Sequence, residues 1–359
     1  MGMLFTLLSF VVVVGIIIFV HELGHFLAAK MMGIKVIRFS LGFPPKLYGK
    51  QIGETEYCIC WVPLGGYVKM AGMLDESFED EDAIKGEPWE FESKNALQKA
   101  FVICAGVLMN FILGMVIFSA ITGLSGVPEA KEPLIGEVVV GYPAEQAGVL
   151  SGDRVTEVNG TAVDSWDEIV QIIHNLEAEQ PLTLHIDREG EEVSATMVAR
   201  QEKSMIDGEI RLISKVGINP HLTTRPASTR EVLISGPAST WALIKMSALT
   251  IRMLVTGDAS VRDLAGPLFI AQMSGRTARS GTLDFLGFIG FISVNIGFLN
   301  ILPIPVLDGG HLVYILVEAI FRRKIPFTVK LRIQQVGLAL LLLLMVVVFY
   351  SDIMRIFTN

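Results

Sequence analysis

The chain has 359 residues, 51% of them hydrophobic, and a formal net charge of -8. So apolar a composition points to several membrane spans with a soluble part between them, and the acidic balance argues against a nucleic-acid binder. The three cysteines, Cys58, Cys60 and Cys104, are too few for a disulfide framework, and the close pair Cys58 and Cys60 is too small for a structural zinc site.

Met1 to Val20 carries no charged side chain. It is a poor signal peptide, because no basic segment precedes the apolar run and no small-x-small cleavage site follows it. We read about Leu4 to Met31 as a retained first span. Near its end stands His21-Glu22-Leu23-Gly24-His25, an H-E-x-x-H motif. On a helix the two histidines lie one turn apart on one face and reach one metal ion, with Glu22 beside them as a base for water. An ionisable turn in an apolar helix is costly in lipid and marks function.

Gly33 to Lys50 is basic, with Lys35, Arg38, Lys46 and Lys50 and no acidic residue. By the positive-inside rule this side is cytoplasmic, so the N-terminus lies outside and the motif faces inward. Glu54 to Gly72 alternates like a β-hairpin turning at Gly65-Gly66 and resuming at Tyr67-Val68. Its apolar content fits a hairpin dipping toward the membrane, which is tolerated where backbone is buried in protein or lines a wet site; a cytoplasmic hairpin away from the site fits the pattern equally. Asp75 to Glu92 is strongly acidic and reads as a solvated loop. Span two runs from Ala100 to about Leu124, with Gly106, Asn110 and Gly114 on one face for close helix packing.

Val127 onward is soluble in character and lies outside in this topology. Ile135 to Gly160, a helix over Ser165 to Leu176 and strands at Leu182 to Ile186 and Glu192 to Val198 resemble a bacterial protease-type PDZ domain. Such a domain takes an extended peptide by strand addition, with Val216-Gly217-Ile218 as a late strand at the groove. Glu231 to Gly257 is amphipathic and reads as interfacial, and Asp263 to Pro267 breaks any helix. Span three, Phe285 to about Leu302, runs into Asn300-Ile301-Leu302-Pro303-Ile304-Pro305-Val306-Leu307-Asp308-Gly309-Gly310-His311, where two prolines unwind the backbone. Basic residues 322–324 and Lys330 mark the cytoplasmic side again, and span four covers Ile333 to Tyr350.

The fold class is thus a multi-pass α-helical membrane protein of about four spans, with a membrane-associated β-hairpin and one inserted extracytoplasmic α+β domain. Its parts are an N-terminal membrane part (1–126), the PDZ domain (127–222), an interfacial linker (223–284) and a C-terminal membrane part (285–359). Two histidines do not complete a catalytic zinc site, which takes three protein ligands. Asp308 is the best candidate for the third, and His311 is its rival.

HELGH in the first span, PLGGYVKM at 63–70, the inserted PDZ and NILPIPVLDGG at 300–310 together resemble the site-2 protease family, in the layout of the bacterial regulator-of-sigma-E protease group. The resemblance covers nearly the whole chain. It implies an intramembrane metalloprotease of the bacterial inner membrane with one Zn2+ per chain, held by His21, His25 and Asp308, and Glu22 as general base. It also implies substrate handling by Asn300, with Pro303 and Pro305 of the same motif, and by the hairpin at Gly66, Tyr67 and Val68. The implied partners are the lipid bilayer and single-pass membrane substrates, such as a pre-trimmed anti-sigma factor or remnant signal peptides. Well-known members of that group carry two tandem PDZ domains, whereas this chain shows one. A membrane PDZ scaffold and a zinc peptidase acting on soluble peptides are the alternatives. A transporter would show paired hydropathy repeats, and none is seen.

Overall fold

The computed structural model describes residues 2–73, 85–177, 179–206, 209–258, 260 and 266–358. It divides into two compact units, residues 1–122 with 229–359, and residues 123–228. The acidic run lies outside the described residues over 75–84, as does the 263–265 part of the predicted helix break.

The first unit opens with α1 (Gly2–Met31), an unbroken apolar helix that stops before Gly33, whose φ is 65°. It continues through β1 (Val36–Ile52) and β2 (Thr55–Met70). The two strands are long enough to fold back on themselves. Phe39 pairs with both Val68 and Tyr57, and Leu41 with both Gly66 and Ile59, while Tyr48 pairs with Ile59 and Lys50 with Tyr57. The order across the sheet is therefore 66–70, 36–41, 56–60, 46–52. Residues 66–70 form an edge, with no further strand beside them among the described residues. The helix α2 (Ala96–Ser125) starts at a reciprocal cap, in which Gln98 N–H donates to Asn95 Oδ1 at 2.9 Å and Asn95 N–H donates to Gln98 Oε1 at 3.2 Å.

The second unit follows with β3 (Val127–Glu129), β4 (Ile135–Val138), α3 (Pro143–Gln146), β5 (Arg154–Val158), β6 (Thr161–Ala162) and α4 (Trp166–His174). Strands β7 (Pro181–Arg188), β8 (Glu191–Val198), β9 (Arg200–Ile206), β10 (Glu209–Lys215), β11 (Ile218–Pro220) and β12 (Thr223–Arg225) complete it. One sheet has the order β6-β5-β7-β8, and β4 pairs with β11, β3 with β12 and β9 with β10. The alternation of β7 puts Leu182, Leu184 and Ile186 inward with Val155, Val158 and Ile169. Helix α4 begins at Ser165, which accepts from Glu168 N–H, and Glu168 in turn accepts from Asp164 N–H. The helix and the strands β7 and β8 fall where the alternation of the sequence puts them.

The chain then returns to the first unit through α5 (Thr229–Thr256), α6 (Pro267–Ser280), α7 (Thr282–Ile301), α8 (Asp308–Phe321) and α9 (Phe327–Thr358). Among the described residues five helices are long and apolar enough to cross a membrane, namely α1, α2, α5, α7 and α9. This fits a multi-pass membrane protein. The fifth, α5, is the stretch that reads as interfacial in the sequence, and it is the least apolar of the five. Its small residues lower its hydropathy and permit close packing. Gly236 abuts the Met115 backbone on α2, and Ser247 Oγ meets Asn295 Oδ1 on α7 at 3.0 Å. The core here is Val13 and Ile17 of α1, Ile117 of α2, and Ile289 and Ile292 of α7.

Candidate metal centre

Residues late in α1 and α7 meet residues in the first half of α2. His25 Nδ1 is 2.9 Å from the Val102 carbonyl, and Asn300 Nδ2 is 3.2 Å from His21 Nε2. Helices α1 and α7 therefore run one way past the site and α2 the other. The approach is close because two glycines sit at the crossing. A Cβ on Gly106 would stand 2.9 Å from His21 Cε1 and 2.7 Å from His25 Cε1, and one on Gly24 would press into the Ala105 carbonyl.

After α7 the chain turns through 302–307, and Asp308 opens α8. The turn brings the carboxylate onto the histidine pair. His21 Nε2 is 3.1 Å from Asp308 Oδ2, His25 Nε2 is 3.4 Å from Asp308 Oδ1, and the two Nε2 atoms are 3.2 Å apart. A tetrahedral ion with ligands at about 2.0–2.1 Å has ligand edges of about 3.3 Å, so these three spacings fit one. The donor set agrees. A neutral His25 whose Nδ1–H donates to a carbonyl leaves Nε2 a bare lone pair, and Asp308 Oδ2 is buried and accepts no hydrogen bond. His21 and His25 are 8% and 6% exposed. Buried lone pairs gathered this closely call for a cation between them. His21, His25 and Asp308 form such a group with their ligand atoms within 4.8 Å of one another. His311, the rival third ligand, is not in it; its Nε2 is 3.3 Å from Gln334 Nε2 and its ring packs edge-on to Tyr314.

The group lies in a cavity of about 390 Å³ lined by Ile17, His21, Glu22 and His25 of α1, Asn300 of α7, Val306, Leu307 and Asp308. Gly65, Gly66, Tyr67, Val68 and Met70 line it too, so the edge strand borders the site rather than lying apart from it. Tyr67 is held by Arg38, whose Nη1 donates to its hydroxyl at 3.1 Å. Pro303 and Pro305 are not among the lining residues. They shape the turn instead, with Pro305 packed under Gly310 and Gly337. Val306 takes φ 83°, a strained conformation for a β-branched residue, two residues before Asp308 on the same cavity wall.

Residues 9–344 match the family described as peptidase family M50. The chain belongs to that family. This M50 peptidase, a site-2 protease family member, is a zinc metalloprotease. It is 31% identical to the zinc metalloprotease RasP of Geobacillus kaustophilus over 98% of each chain. It is 29% identical to the protease RseP of Yersinia pestis, over 99% of this chain and all of that one. A solved PDZ domain of an SdrC-like protein from Listeria innocua matches 26% of this chain and 98% of that domain at 20% identity, with a TM-score of 0.21, too low to bear on the fold.

The sequence missed one feature of the M50 site. Asn110, read as a packing amide, has its Nδ2 3.3 Å from His21 Nδ1. A cavity of about 320 Å³ lies in the other unit between α4 and residues 214–219, bordered by Tyr142, Ile169 and Ile173, and Val216, Gly217 and Ile218, expected at a groove, line it.

Proposed function

We propose that this M50 peptidase hydrolyses peptide bonds within or near the membrane segments of single-pass membrane proteins. The observation that carries the reading is the group His21, His25 and Asp308 at ligand spacing in a cavity walled by four membrane-length helices and an edge strand. Those three residues would hold one zinc ion. Bound there, zinc supplies a Lewis acid that brings the pKa of water toward ~7 and polarises a carbonyl.

The remaining roles belong to the chain. Glu22, in the cavity beside both histidines, takes the proton from the attacking water and returns it to the leaving amine. Asn300 directs an amide N–H into the cavity, where it can donate to the substrate backbone or the developing oxyanion. A membrane helix hides its peptide bonds in internal hydrogen bonds, so the segment must unwind before it is cut. Gly66, Tyr67 and Val68 lie on the edge strand at the cavity wall, and pairing along that edge replaces the bonds the unwound segment loses. The groove of the second unit takes an extended peptide and thereby filters or recruits substrates. Helix α1 runs past the site into the basic residues Lys30, Lys35 and Arg38, and α8 runs from Asp308 at the site to Arg322, Arg323 and Lys324 beyond its far end. This favours an active site toward the cytoplasmic face of a bacterial inner membrane, with both termini and the second unit outside.

The test compares wild type and Glu22→Gln in detergent against single-pass apolar segments and soluble peptides, with products read by mass spectrometry and zinc content measured. The expected result is cuts inside the apolar segments by wild type only, with zinc retained in both and a loss of about 10²–10⁴-fold in the variant. Cleavage of soluble peptides alone would favour a membrane peptidase of another kind. No cleavage by zinc-loaded wild type would leave the scaffold reading.

A further inference from the structure

We infer that Asn110 is the positioning residue that fixes the tautomer of His21, accepting a hydrogen bond from its Nδ1–H. The inference rests on the metal reading of the site and adds to it a residue outside the ligand set.

The two histidines pose the same problem. Each turns Nε2 toward Asp308. A ring that gives Nε2 to a metal must carry its proton on Nδ1, and that proton needs an acceptor when the ring is buried. For His25 the acceptor is the Val102 carbonyl at 2.9 Å, which can only accept. For His21 the group at Nδ1 is the Asn110 side chain, 3.3 Å away and itself fully buried. An Asn amide presents either a donor or an acceptor in the same shape. With Nδ2 toward the ring, Nδ1 would have to be the bare nitrogen and Nε2 would hold the proton, which excludes a metal. With Oδ1 toward the ring the proton sits on Nδ1 and Nε2 is free. The turn disrupts no other bond, because Asn110 Oδ1 has no partner where it stands. The residue is also anchored for the task. Ser293 Oγ donates to the Asn110 carbonyl at 2.9 Å, and Gly297 lets α7 lie against its Cβ. One side of the metal centre is thus oriented by a backbone carbonyl and the other by an amide held between α2 and α7.

The experiment measures zinc affinity by competition with a chromophoric chelator, together with the thermal midpoint of the zinc-free protein, for wild type, Asn110→Leu and Asn110→Asp. The leucine variant keeps the branched shape and removes the acceptor. It is expected to weaken zinc binding about 10–100-fold while the zinc-free midpoint holds or rises. The aspartate variant keeps an acceptor and removes the donor, and is expected to bind zinc at least as tightly as wild type. Unchanged affinity in Asn110→Leu would overturn the positioning role. Equal weakening in both variants would overturn the acceptor assignment, since a donor to His21 Nδ1 would then be what matters. Failure of wild type to bind zinc would overturn the metal reading itself, and is separately visible.

Discussion

Gly106→Ala adds one methyl group at the place where α2 passes the histidine pair. The built Cβ stands 2.7 Å from His25 Cε1 and 2.9 Å from His21 Cε1, and nearer still to His25 Nε2. Ordinary contacts are about 3.5 Å, so, with Nε2 the closest atom, the His25 ring must withdraw by about 1 Å or the helices must part by as much. Neither is easy. His25 is tied to the Val102 carbonyl one turn before Gly106, and Gly24 is already pressed on the Ala105 backbone. Metal ligation tolerates about 0.2 Å. The variant is therefore expected to lose zinc affinity by about 10–100-fold or more, and cleavage with it. The zinc-free protein should lose less, because overpacking costs about 1–3 kcal/mol and alanine regains about 0.8–1.0 kcal/mol over glycine in a helix. Zinc titration against a chelator and a melt of the zinc-free protein measure the two effects. Gly15→Ala on α1, where nothing lies within 4 Å of the added carbon, is the control expected to bind zinc normally. Wild-type zinc affinity in Gly106→Ala would refute the claim that this glycine sets the histidine geometry.

Two further expectations concern groups away from the metal. Asp153 in the second unit is 1% exposed. Burial pushes its carboxyl up, but Arg188 at 2.7 and 2.8 Å and the Leu150 N–H outweigh this and hold it below the usual carboxylate range. A carboxyl lowered in the folded state stabilises above its unfolded pKa of ~3.9 and loses that contribution as pH falls through the lower, folded value. The hydrogen-exchange protection factors of β5 and β7 should fall below about pH 4 in wild type, and be low already at pH 7 in Asp153→Asn; equal protection profiles would count against the pairing. Glu92 joins Lys99 and Lys330 at 2.5 and 2.9 Å, and all three side chains are mostly buried. Glu92→Gln strands two buried ammonium groups, with Glu318 at 2.9 Å from Lys330 as partial compensation. A loss of about 3 kcal/mol is expected, read as a lower thermal midpoint, and an unchanged midpoint would show the cluster to be solvated.

The sequence was most legible where chemistry and periodicity coincide. H-E-x-x-H fixes its own geometry once the helix is granted, and the first charge after a proline-broken span, Asp308, is where the third donor stands. The strand resuming at Tyr67 could be read too, although its position at the cavity wall could not. That depends on β1 and β2 each folding back, so that 66–70 becomes an edge rather than one arm of a simple hairpin. Pro303 and Pro305 were legible as breakers; neither lines the cavity, and Pro305 packs instead under Gly310 and Gly337. The stretch 229–256 was ambiguous for a physical reason. Gly236, Ser239 and Ser247 lower its hydropathy to the level of a surface helix, and only a partner helix distinguishes a polar face from a packed one.

Asn110 illustrates why small and polar residues recur in these spans. In an apolar surrounding, each polar group must find its partner within the protein, and a partner on another helix is within reach only if the backbones approach closely. Gly24 and Gly106 let α1 and α2 approach, and Gly297 lets α7 approach Asn110. The bonds this makes possible are His25 to Val102, His21 to Asn110, Ser293 to Asn110 and Asn300 to His21. The same glycines that serve packing thus make it tolerable to bury two imidazoles and a carboxylate in the bundle. A change that only separated the helices would cost the metal centre its orientation before it cost the protein its fold.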